Sequence, residues 1–181
     1  NYRLQLYPHS ELNDLMYLSD TTFLIMGDFQ YSGGSDYKIL LKTNFSGDII
    51  WSKSFGTNSS VRGDYLAKRT NESCYIIQDN STGSGIIISS MDFSGNFMNS
   101  IRLSDSNSIL NISKVKAIEN NEIVIVGKKV QNQNPLVMVL DTLYNIVYSM
   151  EYPGYSDITD IFQTYDSGFL CLMQNINIGS P

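Results

Sequence analysis

Three stretches decide the fold: Thr21–Gln30 (TTFLIMGDFQ), Glu72–Ser81 (ESCYIIQDNS) and Asn121–Val130 (NEIVIVGKKV). Each is a mostly apolar run entered from a polar turn. A fourth, Ser167–Ile176 (SGFLCLMQNI), follows the pattern less completely. Aligned, they place Gly27, Gln78, Gly127 and Met173 in one column, at intervals of 51, 49 and 46 residues. A second anchor agrees. Phe45–Ser52 (FSGDIIWS) matches Phe93–Ser100 (FSGNFMNS) 48 residues on, and Leu143–Ser149 (LYNIVYS) is the counterpart with a turn one residue shorter. Two independent anchors with one period define an internal repeat.

Each repeat divides into four short strands. The first is moderately apolar: LMYL from Leu15, YLAK from Tyr65, VKAI from Val115, IFQT from Ile161. A polar turn follows, with the residue types that close hairpins. The second strand is nearly all apolar, as a strand buried on both faces must be. The third (YKILLKT, GIIISSM, PLVMVLD) and fourth (IIWSKSF, FMNSIRL, IVYSMEY) are joined by a tight turn. No capping residue precedes an apolar stripe of helical period. The chain is therefore expected to be all-β, with about fifteen short antiparallel strands.

Four antiparallel strands per roughly 48 residues is the signature of propeller blades, which bury their faces by stacking on one another. Residues 12–56, 62–104 and 112–152 make three blades, and 158–181 supply the first two strands of a further one. Residues 1–7, with the run Tyr2–Tyr7, match the fourth strands and form the outer strand of a preceding or closing blade. Residues 1–181 then form a single partial β-propeller: an incomplete one, or a fragment of a larger ring. A stack of hairpins that never closes is the alternative.

Composition bounds the function. Charged residues are 17% of the chain, against roughly 25% in ordinary domains, and Ser and Asn replace them. The net charge of −6 gives no basic face, so nucleic acid is excluded as a partner. No apolar run approaches the roughly 20 residues of a transmembrane helix. Cys74 and Cys171 lie inside apolar runs, where cysteine behaves as a small hydrophobe, and both are expected reduced and buried. The chain holds a single His9, in a linker, which leaves no Ser-His-Asp site and no cluster of zinc ligands. No phosphate-binding glycine motif occurs, so no cofactor and no metal are expected.

Across the repeats, GDFQYSGGSDYKILLKTNFSGDIIWSKSFGTNSSVRGDY, which starts at Gly27, resembles the bacterial β-propeller repeats of the SBBP and delta-60 types. Those repeats run glycine, variable loop, aspartate before a hydrophobic strand, a G-x-x-x-W turn, an aromatic-Gly pair and a further aspartate. The first repeat matches at Gly27, Asp36, Gly47, Trp51, Phe55, Gly56 and Asp64. The second keeps Asp92 and Gly95 but has Asn99 for Trp; the third keeps Gly127 and Asp141, loses the turn glycine and has Tyr148 for Trp. The resemblance implies a secreted or outer-membrane lipoprotein of the kind found in Bacteroidota, at the cell surface.

Two sets of side chains are candidates for function. Asp14, Asp64 and Asp160 each precede a first strand, with Lys114 at that place in the third repeat. In a propeller they would sit near one mouth of the channel, as a cation site or as the acids of a polysaccharide hydrolase or lyase. The competing expectation is that they accept backbone N–H groups at strand entry. Arg62-Gly63-Asp64 also spells an integrin-binding tripeptide, but Asp64 already has a place in the repeat. Tyr31, Arg62 and Tyr155 lie in or beside the longer loops, which leave one side of a propeller together, and Tyr and Arg are frequent interface anchors. The opposite side carries turns expected to be too tight for a concave site. Trp51 and Tyr148 are expected to pack blade against blade. The function expected is a non-catalytic binding or scaffold module of the bacterial surface, such as an accessory lipoprotein of a nutrient-uptake complex. Its partner would be a protein, with peptide or glycan as further options.

Overall fold

The structure, a computed structural model, describes residues 11–18, 21–30, 36–55, 61–80, 85–103, 109–129 and 131–175. They form fourteen strands and one 3-10 turn, Glu119–Asn121. β1 (Glu11–Tyr17), β2 (Thr22–Gln30), β3 (Asp36–Asn44) and β4 (Ile49–Phe55) make the first sheet in sequence order. β5 (Val61–Lys68), β6 (Ser73–Asn80), β7 (Ile86–Asp92) and β8 (Phe97–Leu103) make the second. β9 (Ile109–Ala117), β10 (Ile123–Lys129), β11 (Pro135–Leu140) and β12 (Ile146–Glu151) make the third. β13 (Tyr155–Gln163) and β14 (Phe169–Asn175) pair as a two-stranded fourth. Every pairing is antiparallel. The all-β expectation holds; the fifteenth expected strand, Tyr2–Tyr7, lies outside the described residues.

Burial follows the two-residue period of a strand. In β6, Cys74 and Ile76 point back to the first sheet, where they join Met16, Leu24, Met26 and Leu40. Tyr75 and Ile77, the alternate residues, point forward and join Val115, Ile123, Ile125 and Met138 of the third sheet. β10 repeats the arrangement: Val124 and Val126 point on to Ile158 and Ile161 of the fourth sheet. Each of these three cores is therefore shared by two consecutive sheets. The fourth strands carry little of this burden, and β8 is exposed along most of its length.

The first strands stand side by side, β1 beside β5, β5 beside β9 and β9 beside β13. Each carries a β-bulge, at Asn13, Gly63, Ser113 and Thr159, where one residue has no partner in the second strand. A bulge bends a strand and re-aims the side chains that follow it. Beside the first bulge, Gly27 pairs with Leu12. A Cβ at Gly27 would collide with the Glu11 carbonyl oxygen, so the glycine is there for close backbone approach.

The turns between third and fourth strands share one device. Asp92 accepts from the backbone N–H of Asn96 (2.8 Å) and from its side-chain amide (2.9 Å), and Asp141 holds Asn145 the same way. In the first sheet the roles are exchanged: Asn44 accepts the Asp48 backbone N–H and donates to its carboxylate. Gly47 and Gly95 take the left-handed conformation inside these turns. The third turn has lost the glycine, and Tyr144 adopts φ +66 in its place. Its ring is buried edge-on to Tyr75 at 6.2 Å, which offsets the unfavourable backbone.

Both cysteines are free. Cys74 is buried, as expected, and burial pushes its thiol up to about 12. Cys171 differs from the expectation: it is only half-buried, because β14 has a neighbouring strand on one side alone among the described residues.

Two outcomes follow. Gly27→Ala should destabilise the chain by about 1–3 kcal/mol, the usual penalty for forcing an atom into a packed site, measured as a lower urea midpoint at unchanged slope. A thiol reagent should label Cys171 first in the native chain and both cysteines after unfolding; finding no thiol after unfolding would contradict the structure.

Candidate functional site

The bulged first strands send polar side chains across to one another. Asp14 accepts the N–H of Leu66 in the neighbouring sheet through one oxygen (2.7 Å) and that of Leu15 through the other (2.8 Å). Tyr65 donates its hydroxyl to the carbonyl of Ile112. Ser113 donates to the carbonyl of Ile158 (3.1 Å) and Lys116 to that of Ile161 (2.7 Å). These bonds join strands whose main chains do not pair with each other.

The predicted acids take these positions unevenly. Asp160 accepts the N–H of Ile161 (2.9 Å) and pairs with Lys116 at 2.6 Å; the Lys116 ammonium holds its carboxyl below the usual carboxylate range. Lys116 also lies 3.8 Å from the centroid of the Phe162 ring. The main chain of Asp64 pairs with Gln78, and its side chain lies outside the described part. In the second sheet it is Tyr65 that holds the facing place of Asp14. Met16 opposite Leu24 faces the second sheet and Ala67 opposite Tyr75 faces the third, and Asp14 and Tyr65 come two residues earlier. Asp14 and Asp160 are thus engaged by backbone amides and a lysine. Among the described residues no group of three or more His, Cys, Asp or Glu could hold a metal ion.

Of the expected anchors, Tyr31 lies outside the described residues. The main chain of Arg62 pairs with Asp79, and its side chain is outside the described part. Tyr155 opens β13 opposite Asn175 and is exposed. Nearby, Lys128 pairs with Asp157 at 3.2 Å. Glu151 pairs with Lys129 and accepts the amides of Asn132 (3.1 Å) and Asn134 (3.3 Å). Lys129 first, then the two amides, hold the Glu151 carboxyl down at about 2.

A cleft of about 430 Å³ opens on the other side, between the third and fourth sheets. This corrects the expectation that the short-turn side builds nothing concave. The turns themselves form its rim, with Glu119, Glu122 and Ser167, while Val139, Tyr148, Tyr152 and Phe169 form its wall. Gln163, also on the rim, accepts the backbone N–H of Glu119 (3.1 Å) and fixes the two turns together. Burial, with hydrogen bonds to Tyr148 and Cys171, pushes the Tyr152 hydroxyl up to about 12, so it stays protonated and able to donate. The same region between the first two sheets holds Trp51 and Phe93. There Trp51 donates its indole N–H to the carbonyl of Phe93 (3.2 Å), and Lys42 donates to the same oxygen (3.3 Å). A Cβ on Gly95 would lie 3.5 Å from the Trp51 ring. Tyr148 packs against Phe169, their centroids 6.4 Å apart, yet stays 40% exposed. The Trp-to-Tyr change at this repeat position is the sequence signal that could have found the cleft.

No family model and no curated protein matches the chain. Thirteen chains of known structure do. One is a protein of unknown function from Bacteroides caccae, solved by crystallography at 1.35 Å, with TM-score 0.56 and 12% identity over 91% of this chain. At that identity the likeness is one of fold. The chain spans 57% of the length of that protein.

The Glu151 cluster gives a pH dependence. Its carboxyl is held below its ordinary 4.5, so its contribution is fully present above pH 4.5 and disappears as pH falls towards about 2. Amide exchange in the hairpin Lys129–Asn134 should accelerate across that window, beyond the intrinsic trend. Glu151→Gln should remove the pH dependence.

Proposed function

We propose that this chain is a non-catalytic binding module whose sheets are arranged as blades of a β-propeller, carried at a bacterial cell surface. The observation that carries the binding role is the cleft at Tyr148. It joins an aromatic and aliphatic wall to a rim of carboxylate, amide and hydroxyl groups, the mixture that recognises peptides and glycans. The propeller arrangement is supported by the first strands standing side by side, with successive sheets stacked outward through shared cores. The surface location rests on the repeat resemblance.

The occupied acids favour binding over hydrolysis. A glycosidase needs two carboxyl groups free to act on one bond, one of them protonated. Asp14 is committed to two backbone amides, and Asp160 is an ion-paired carboxylate held in its charged form. The long-loop side, with Tyr31, Arg62 and Tyr155, is the second surface proposed to touch a protein partner.

The test is a titration of isotope-labelled chain with a panel of oligosaccharides and extended peptides, followed by NMR. Shifts should concentrate at Tyr148, Tyr152, Gln163 and Phe169, with the ligand recovered intact. Tyr148→Ala with Phe169→Ala should weaken binding by at least about tenfold, the scale of an aromatic anchor, while the Tyr31, Arg62 and Tyr155 alanine triple retains it. Release of product would overturn the non-catalytic reading. Shifts confined to the long-loop side would overturn the cleft.

A further inference from the structure

The second sheet faces the third with a row of four cross-strand neighbours, Ala67, Tyr75, Ser90 and Asn99. The same row in the first sheet is Met16, Leu24, Lys42 and Trp51. There the polar groups are matched: Lys42 and Trp51 both donate to the carbonyl of Phe93, in the turn of the following sheet. In the second sheet Ser90 and Asn99 replace these two donors. The turn that faces them has changed as well. It carries Tyr144 where the turn against Trp51 carries Gly95, each residue donating its N–H to the carbonyl of the aspartate that opens its turn.

The exchange leaves two hydroxyls unmatched. Ser90 is 0% exposed and Tyr144 8%, and neither the Ser90 Oγ nor the Tyr144 hydroxyl has a hydrogen-bond partner among the described residues. Both adjoin Tyr75. Ser90 is its partner across β6 and β7, and the Tyr144 ring stands edge-on to its ring at 6.2 Å. The Tyr75 hydroxyl is engaged elsewhere, donating to the carbonyl of Asn121 (3.1 Å). A buried hydroxyl without a partner costs more than an ordinary hydrogen bond returns, so two in one interface call for an explanation. Two further features suit a small polar guest. Asn99 is exposed, so the row opens to solvent beside Ser90. The carbonyl at the place of Phe93 is that of Thr142, which follows Asp141 as Phe93 follows Asp92.

We propose that one water molecule is held between the second and third sheets, as a fixed part of that interface. It accepts from the Ser90 and Tyr144 hydroxyls and donates to the carbonyl of Thr142. About three hydrogen bonds are the usual complement of a buried water, and these three satisfy both hydroxyls at once. The water does for this interface what Lys42 and Trp51 do for the first: it carries the row across to the turn of the next sheet. It also gives a role to Tyr144, which holds a left-handed backbone at the place where the second sheet has a glycine. The site lies between two four-stranded sheets and is separate from the Tyr148 cleft.

The test is magnetic relaxation dispersion of the water oxygen, which sees the water itself and not hydroxyl protons that exchange with solvent. The intact chain should show a long-lived water that Ser90→Ala and Tyr144→Phe each remove. Solvent should also give an NMR cross-peak to the Tyr144 ring protons, with the sign of a molecule that tumbles with the protein. Both substitutions should lower the urea midpoint at unchanged slope. The double variant should fall no further than the worse single one, because either loss releases the same water. Unchanged dispersion in the two variants would overturn the proposal. So would midpoints that rise, the mark of hydroxyls left dry and unmatched in the native chain. Midpoints that fall with no long-lived water would mean that the two hydroxyls bond to each other, and would overturn it as well. Each substitution removes a single oxygen and adds no bulk, and the cross-peak in the intact chain tests the site without any substitution.

Discussion

A strand with apolar side chains on both faces is stable only between two layers. β6 and β10 impose that condition on the whole molecule. Their alternate residues feed different cores, so neither sheet can stand without a neighbour in front and one behind. The side-by-side first strands, the outward gradient to exposed fourth strands and the order of the sheets all follow from it. The cores are dry and closely packed, with Leu24, Met26, Ile76, Ile77, Ile123 and Ile125 essentially inaccessible. Charge that enters the strands is paired, as where the buried Lys38 of β3 meets Asp28 of β2.

The first strands solve a second problem. They meet neighbours too far away for a ladder, and their bulges leave backbone groups without ladder partners. Side chains close the gap: a carboxylate at Asp14, a phenol at Tyr65, a hydroxyl at Ser113 and an ammonium at Lys116. Four different chemistries do the same joining work. A buried acceptor or donor left unmatched would cost more than the bond itself returns. The acids that looked like candidate catalytic groups are better understood through this role, as the two with described side chains are already bonded.

Much of the fold was legible because it is periodic. The column of Gly27, Gln78, Gly127 and Met173 kept its facing direction in the structure, and the turn motifs marked the third-to-fourth connections. The bulges were not legible. A bulge adds one residue to one strand and reverses the facing of everything beyond it, and nothing in the types of Asn13, Gly63, Ser113 or Thr159 announces that. In the second sheet the bulge falls one residue earlier relative to the core positions, so Tyr65 took the place that spacing alone gave to Asp64. The cleft escaped notice for another reason. It depends on how two tight turns from different sheets stand against each other, and turn length alone cannot report that. Its one trace was Tyr148 where the first repeat has Trp51.

The shared cores also set how disturbance travels. Each sheet touches only its neighbours, so the energetics are nearly those of a linear array with nearest-neighbour coupling. Among the described residues the second and third sheets each contribute to two cores, whereas the first and the fourth each contribute to one. Disturbance should pass one interface at a time, giving a graded spectrum of partly open states alongside the main transition. A ligand held in the cleft between the third and fourth sheets would tie their interface together, so occupancy at one interface would be felt as rigidity along the array.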